Sequence, residues 1–358
     1  MPPEYYDACD EIGMICTAEF PIAYNWYLPG TGYVWKASVP PGIDPGPAIE
    51  TYKREWTSVI KRHRNHPSIF CWVMGNEMWD GVPLRHDFHR IARQLDPKRF
   101  FADSDGVEAF DRLNPALNIL LPENDRNTLD LYFLMFNVFA KPIEYPNKFY
   151  TPTRLKPIVT HEEGNFVTFS RPDQIDLLKH HQKPFWLLPG RAKLEQLGLL
   201  PQANQWAEKY ERLYALCHKA NMEGLRKNPH ISGYHWWLFQ DCYTSSNGLF
   251  DVCFHPKSIT REEVLKINSK VVVLQEGLGH TYRGKDRLAV KLLLSNFSSA
   301  ALQGQLTWEV KAGDKVLGGE QITCASRARR RCPDRTDRSG PAPRGSAHPD
   351  DSCDNGCR

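Results

Sequence analysis

Residues 66–77 of the chain read HPSIFCWVMGNE. His66-Pro67 ends a helical pattern, and residues 68–74 are a nearly continuous apolar run, as expected of a strand that is buried on both faces. The run ends at Gly75-Asn76-Glu77, so a carboxyl group follows the strand directly. This pattern predicts a parallel sheet covered by helices, with polar groups at the carboxyl ends of its strands.

The same alternation continues on both sides of this stretch. Segments with helical spacing of apolar residues are 4–13, 47–64, 86–95 and 207–227. Further strand-like runs are residues 14–18, 100–102, 129–133, 157–160 and 231–239. Repeated strand–helix units indicate the α/β class, as either a (β/α)8 barrel or a doubly wound sheet. Residues 171–204 form a long insertion, which we predict to be a loop that roofs a cleft.

The pattern changes after about residue 266. Strand-like runs separated by turns predict an all-β domain, which we interpret as part of a sandwich. From residue 325 the chain consists mainly of Arg, Pro, Ser, Gly and Asp. Such a segment buries too little apolar surface to offset its ordering entropy, so we predict a disordered tail.

Composition excludes several classes of protein. Hydrophobic residues make up 41% and charged residues 24% of the 358 residues, and the net charge is +3. These values are ordinary for a globular protein and give no indication of a nucleic-acid groove. Ten cysteines in a chain of this length do not form a disulfide scaffold. No run approaches the ~18 apolar residues of a membrane span, and residues 1–13 lack the basic and apolar parts of a signal peptide.

Two carboxyl groups stand out because each follows a predicted buried strand. Glu77 ends the run described above, and Glu162 ends Pro157-Ile158-Val159-Thr160-His161-Glu162. In a parallel barrel, catalytic groups gather at the carboxyl ends of the strands. Cleavage of a glycosidic bond needs two carboxyl groups that flank it: one protonates the leaving oxygen, and the other attacks the anomeric carbon or activates water.

Several motifs together resemble glycoside hydrolase family 2, which includes β-galactosidases, β-glucuronidases and β-mannosidases. His-Pro-Ser-Ile at 66–69, leading to Gly-Asn-Glu at 75–77, is similar to the acid/base segment of that family. Residues 157–164 resemble its nucleophile strand, and residues 233–241 with 248–251 resemble its last barrel strand and loop. The resemblance covers roughly residues 4–310.

The resemblance implies a (β/α)8 TIM barrel that lacks its first two strands, because residue 4 corresponds to the second helix of the family's barrel. It also implies that a partial immunoglobulin-like sandwich follows and that the family's N-terminal domains are absent. The predicted domains are therefore an incomplete catalytic barrel at 1–266, a partial β-sandwich at 267–324 and a disordered tail at 325–358. Since the family's own N-terminus is missing, the sequence gives no indication of compartment.

The resemblance also implies residue roles. Glu77 is the expected general acid/base and Glu162, rather than Glu163, the expected nucleophile, about 5–5.5 Å apart as in retaining enzymes. The expected substrate-binding residues are Asn76 at the sugar 2-hydroxyl, Trp237 under the sugar ring, and Glu19, His161 and Tyr132 near the nucleophile. His180-His181 in a polar segment is not a metal motif, so we expect neither a metal nor a cofactor.

The leading hypothesis is a retaining exo-β-glycosidase, β-galactosidase-like, whose partner is a carbohydrate substrate. Neither nucleic acid nor a membrane is an expected partner, and an oligomer is compatible with the full-length protein. Two other hypotheses stay open. One is an inactive, truncated sugar-binding remnant, and the other is an endo-acting enzyme of the mannanase or cellulase type.

Overall fold

The structure is a computed structural model. It describes residues 1–22, 46–76, 84–105, 107–108, 130, 132–135, 157–178, 184–228, 231–242, 245–279, 281–284 and 286–326. The chain divides into two compact units, Met1–Ile259 and Thr260–Arg358. The division lies slightly before residue 266, at which the sequence pattern changes. No helix in the described part of the chain is both long enough and apolar enough to cross a bilayer.

The first unit alternates strands and helices. Its described helices are α1 (Pro3–Ile12), α2 (Gly46–His63), α3 (Leu84–Leu95), α4 (Gln174–Leu177), α5 (Leu188–Gln196) and α6 (Ala203–Lys227). Its described strands are β1 (Cys16–Glu19), β2 (Ile69–Val73), β3 (Phe100–Ala102), β4 (Val107–Glu108), β5 (Tyr132–Met135), β6 (Ile158–Glu163) and β7 (Ile231–Trp236). These elements confirm the predicted α/β class.

All described pairings between the strands of this unit are parallel. Strands β1, β2 and β3 form one sheet in chain order, and β4, β5, β6 and β7 form a second. Asp130, two residues before β5, is hydrogen-bonded to β3: its backbone N–H donates to the carbonyl of Phe101, and its carboxylate accepts from the Phe101 N–H. Neighbours in sequence are thus neighbours in space, which is the strand order of a barrel rather than of a doubly wound sheet.

Aromatic side chains fill the core between α2, α3 and the first sheet. The ring of Trp56 stacks on Phe88 at a centroid distance of 5.0 Å and meets Trp72 edge to face at 6.1 Å. All three side chains are fully buried. Each indole N–H is also satisfied: Trp56 donates to the carbonyl of Phe88, and Trp72 donates to Asp96 in the turn after α3. This packing fixes β2 and therefore the position of the segment that follows it.

The insertion at 171–204 differs from the prediction. Its described part contains α4, α5 and a short 3₁₀ helix at Leu200–Gln202, and it runs directly into α6. The Arg171 guanidinium donates two hydrogen bonds, each 2.9 Å long, to the carboxylate of Glu211 in α6. The prediction of a loop was therefore wrong for the described part, because local helical turns satisfy the backbone there, and the predicted roof over a cleft stays a prediction.

The second unit consists of α7 (Arg261–Asn268) and two antiparallel hairpins. The hairpin of β8 (Val271–Glu276) and β9 (Lys291–Asn296) precedes that of β10 (Leu302–Ala312) and β11 (Lys315–Ser326). Helix α7 begins with a capping box between Thr260 and Glu263. Ala325 and Ser326, predicted as the start of the tail, belong to β11, and residues 327–358 lie outside the described residues.

Candidate active site

Polar and aromatic side chains gather where the parallel strands end. Glu19 is the last residue of β1, Glu162 lies at the end of β6, and Trp237 follows β7 directly. Asn76 and Asp105 follow β2 and β3. Carboxyl ends of parallel strands lie at the same edge of a barrel, which is where the active sites of such barrels are found.

Backbone hydrogen bonds extend the sheet beyond β1, β2 and β3 at this edge. The Asn76 N–H donates to the carbonyl of Ile22 at 2.8 Å, and the Asp105 N–H donates to the carbonyl of Gly75 at 3.1 Å. Asn76 and Asp105 thereby form a parallel bridge. The Asn76 Oδ1 atom is buried without a hydrogen-bond partner among the described residues, so it is available to a bound molecule.

Strand β6 contains a bulge at its carboxyl end. Thr160 pairs with Tyr234 and Glu163 pairs with Trp236, so β6 carries one more residue than β7 between these two pairs. Glu162, inside the bulge, has a φ of 52°, in the left-handed region that non-glycine residues seldom adopt. A bulge at a strand end redirects a side chain, and left-handed backbone at a non-glycine residue costs roughly 1–2 kcal/mol.

The bulge gives two adjacent carboxylates different surroundings. Glu163 is buried, and its Oε2 atom accepts a 2.9 Å hydrogen bond from Asn221 of α6. Its carbonyl accepts from the Trp237 N–H. Glu162 instead lies beside His161, whose Nε2 is 3.3 Å from Glu162 Oε1. Glu162, the predicted nucleophile, therefore lies beside His161 at the carboxyl end of β6, whereas its neighbour Glu163 is hydrogen-bonded to α6.

Glu19 and Glu162 interact electrostatically across the site. Protein atoms around the Glu19 carboxyl and the nearby negative charge of Glu162 raise the pKa of Glu19 to about 7, from an ordinary value of 4.5. Part of the Glu19 residue remains exposed to solvent. At neutral pH, Glu19 is thus poised to donate or accept a proton beside Glu162.

The turn after Glu162 packs against α6. Gly164 has a φ of 85°, and a Cβ atom there would lie 2.1 Å from Cε1 of His218. His218 is buried and stacks on Trp236 at 4.0 Å between ring centroids. Burial, with a smaller contribution from Lys257, lowers the pKa of His218 to about 3, so the ring is neutral at physiological pH. A side chain at position 164 would displace this packing and the adjacent bulge.

A buried ion pair joins the segments that follow β6 and β7. Lys257 Nζ lies 2.7 Å from both Asp241 Oδ1 and Thr168 Oγ1, and 3.0 Å from the carbonyl of Ser246. Gly248 closes this network, because its N–H donates to Asp241 Oδ1 and a Cβ atom there would strike the Gln240–Asp241 backbone. This network holds the loops beneath the strand ends in place.

The structure brings together most of the predicted site residues. Glu19, Asn76, His161, Glu162 and Trp237 all lie at this edge, and the Trp237 indole nitrogen is buried without a partner among the described residues. Glu77 lies outside the described residues. Tyr132 pairs with Ile158 in β5, but the position of its side chain lies outside the described part of the chain.

Two residues at the site were not predicted. Asp105 is buried, and its Oδ2 atom is 3.5 Å from His161 Nδ1. His235, on β7, has its ring centroid 6.2 Å from that of His161. Burial, together with the charge of His161, lowers the pKa of His235 to about 4. In the sequence, Asp105 comes shortly after the strand-like run 100–102, as Glu77 comes after residues 68–74, so its position could have indicated a site residue. His235 stands in the aromatic run 234–237, where nothing in the sequence distinguishes it.

Parallel strands in barrel order, with acidic and aromatic groups at their carboxyl ends, define a barrel of the TIM class with a candidate active site at its usual edge. The family model for "Glycosyl hydrolases family 2, TIM barrel domain" matches residues 1–218. The chain therefore belongs to glycosyl hydrolase family 2, through its TIM barrel domain.

Individual relatives match shorter segments. A Formosa agariphila protein provisionally named a β-glucuronidase is 32% identical over 105 residues, which are 29% of this chain and 9% of that protein. An Alteromonas mediterranea β-galactosidase is 30% identical over 97 residues, 27% of this chain and 8% of that protein. The matched segments thus span less than a tenth of the length of these relatives.

A solved structure shares the fold. The β-D-mannosidase of Dictyoglomus thermophilum aligns with 92% of this chain and 40% of its own, with a TM-score of 0.56 and 16% sequence identity. The alignment supports the barrel architecture.

Proposed function

We propose that this chain carries the catalytic site of a retaining exo-β-glycosidase, with Glu162 as nucleophile and Glu77 as general acid/base. The observation that carries the proposal is the different environment of Glu162 and Glu163. Glu162 lies in a bulge of β6, beside His161 and close enough to Glu19 to raise its pKa. Glu163 instead accepts a hydrogen bond from Asn221. A strained carboxylate at the carboxyl end of a barrel strand is well placed for attack on a bound sugar.

The proposed reaction has two displacements. Ionised Glu162 attacks the anomeric carbon, forming an ester to the sugar, while Glu77 gives its proton to the leaving glycosidic oxygen. Glu77, now ionised, then removes a proton from water, which attacks the same carbon and releases Glu162. The anomeric configuration is inverted twice and is therefore retained.

The other residues have supporting roles in this proposal. The buried Oδ1 atom of Asn76 accepts from a sugar hydroxyl, and the indole of Trp237 packs under the ring and offers its N–H to the substrate. Glu19 and His161 hold Glu162 in position. Tyr132 remains a proposed contact on the neighbouring strand.

A terminal β-galactoside is the proposed substrate. Relatives named β-galactosidase, β-glucuronidase and β-mannosidase B differ in the sugar that their names give, which supports an exo-acting β-glycosidase more strongly than any one sugar. The two hairpins of the second unit support a partial immunoglobulin-like sandwich after the barrel.

The test uses the full chain with nitrophenyl β-galactoside, β-glucuronide and β-mannoside. Glu162→Gln should lower kcat/KM by roughly 10³-fold or more, because no nucleophile remains. Glu77→Gln should lower it by about 10²–10⁴-fold, because proton transfer is lost.

Glu163→Gln is the matched control. It should keep most of the activity while lowering stability by about 1–3 kcal/mol, since Asn221 loses a charged acceptor. Equal losses at positions 162 and 163 would contradict the assignment. Faster cleavage of polymeric β-mannan or cellulose than of aryl glycosides would favour the endo-acting alternative. A folded chain without turnover would favour the sugar-binding remnant.

A further inference from the structure

Three side chains of metal-ligand type converge at the strand ends, beside the proposed nucleophile. Asp105 follows β3, His161 belongs to β6, and His235 belongs to β7. One ligand atom from each lies within 4.8 Å of the other two. Asp105 and His161 are buried, with 2% and 7% of their surfaces exposed, and His235 is partly buried.

The imidazole of His161 is the informative member of this group. Only 9% of its side chain is exposed, and neither ring nitrogen has a hydrogen-bond partner among the described residues. Its Nδ1 atom points to Asp105 Oδ2 at 3.5 Å, which is beyond a good hydrogen bond. A buried imidazole with two unsatisfied nitrogens is costly, so its Nδ1 side is suited to a bound cation.

The donor set and spacing fit a small divalent ion. Two imidazoles and one carboxylate form a known ligand set for transition metals, and zinc binds such atoms at ~2.0–2.2 Å. Tetrahedral ligands at that radius lie roughly 3.3 Å apart, close to the His161–Asp105 distance of 3.5 Å. The ligand atom of His235 lies within 4.8 Å of both other donors, so His235 belongs to the same group.

Glu162 completes the arrangement from the other side of the ring. With an ion on Nδ1, the Nε2–H of His161 would donate to Glu162 Oε1, now 3.3 Å away. Carboxylates commonly orient metal-bound histidines in this manner. The ion would also offset the negative charge that Asp105 and Glu162 bring to one place.

We propose that Asp105, His161 and His235 form a binding site for a divalent transition-metal ion, with Zn²⁺ as the best match to the donors. Three protein donors leave one position of a tetrahedral ion for another ligand. Its existence does not depend on the proposed glycosidase reaction.

A second group, Asp7, Asp10 and His66, also brings its ligand atoms within 4.8 Å. These donors are already used, since Asp10 Oδ2 lies 2.8 Å from His66 Nδ1 and Asp10 Oδ1 accepts from the Ser68 N–H. Asp7 is exposed. We interpret this group as a cap on the segment before β2, and His66→Asn is therefore a matched control.

The experiment uses the full chain, stripped with a chelator and then given Zn²⁺ alone. After gel filtration we expect one tightly bound zinc per chain. X-ray absorption at the zinc edge should show nitrogen and oxygen ligands at about 2.0–2.1 Å, including two imidazoles, and no sulfur at about 2.3 Å. His235→Gln and Asp105→Asn should weaken zinc affinity at least tenfold, and His66→Asn should not change it.

Four results would overturn the proposal: no retained zinc in the unaltered chain, sulfur ligands, unchanged affinity in both site variants, or loss of zinc in His66→Asn. Circular dichroism checks that each variant folds, and the absorption spectrum of the unaltered chain decides the ligands without any variant. Zinc binding is measured without substrate, so an inactive chain that binds zinc would refute only the proposed function.

Discussion

Glu162 and Glu163 are neighbours in sequence and have the same chemistry, yet they have opposite surroundings. The sequence indicates Glu162 as the nucleophile only through a family resemblance, because a run of two glutamates does not say which one faces a cleft. The bulge at the end of β6 and the bond between Glu163 and Asn221 supply a physical reason for the distinction. The catalytic role of Glu162 remains a proposal that the reaction itself must test.

Glu19 offers a test of site electrostatics. Its folded-state pKa is about 7 against an ordinary 4.5, raised first by the protein atoms that surround its carboxyl group and then by Glu162. Between these two values the folded chain keeps a proton on Glu19 that the unfolded chain releases, so the contribution of Glu19 to stability is complete below about pH 4.5 and is lost as pH rises to about 7. Glu19→Gln should reduce this loss. Urea unfolding across that pH range measures it.

The cause of the shift can be tested in the same assay. Glu162→Gln removes one of the two contributions, so the pKa of Glu19 should fall, and the loss of stability should be smaller and should end at lower pH. An unchanged pH dependence in Glu19→Gln would show that another group is responsible.

At the scale of elements, the turn after β6 depends on one glycine. Gly164→Ala places a Cβ atom against His218 and forces a left-handed φ on alanine. The backbone cost is roughly 1–2 kcal/mol, and overpacking adds about 1–3 kcal/mol. We expect a lower free energy of unfolding and, because the turn adjoins Glu162, a lower kcat.

Gly198→Ala is the matched control for this prediction. Gly198 has a φ of 68°, and a Cβ atom added there would meet no described atom within 4 Å, so alanine carries the backbone cost without the clash. Chemical denaturation measures the loss of stability in both variants. Equal losses would show that the His218 side chain moves away from the added Cβ atom without a measurable free-energy cost, and that the packing argument is wrong.

The helices and strands themselves were largely predictable. Periodicity located α2, β2, α3 and α6 to within a few residues, because each buries one continuous apolar face or run. It could not show the helices inside 171–204, since α5 has no buried face to create a pattern. Periodicity could not predict the bulge in β6 either, because the bulge depends on how β6 pairs with β7 and not on the local sequence.

At the scale of the molecule, the sequence predicted a parallel α/β fold, and the strand order and the family match confirm a TIM barrel domain. The convergence of Asp105, His161 and His235 was not predictable. These residues are distant in sequence, and only the folded arrangement of β3, β6 and β7 brings them together. The expectation that no metal binds rested on His180-His181, which lie outside the described residues.

If Glu162 is the nucleophile, it forms a covalent bond to the sugar during the reaction. An activated 2-deoxy-2-fluoro-β-galactoside, with glucuronide and mannoside analogues in parallel, slows the second displacement and traps that ester, and peptide mapping by mass spectrometry then locates it. We expect one sugar per chain, attached to Glu162 and absent in Glu162→Gln. A sugar attached to Glu163 or to any other residue would contradict it.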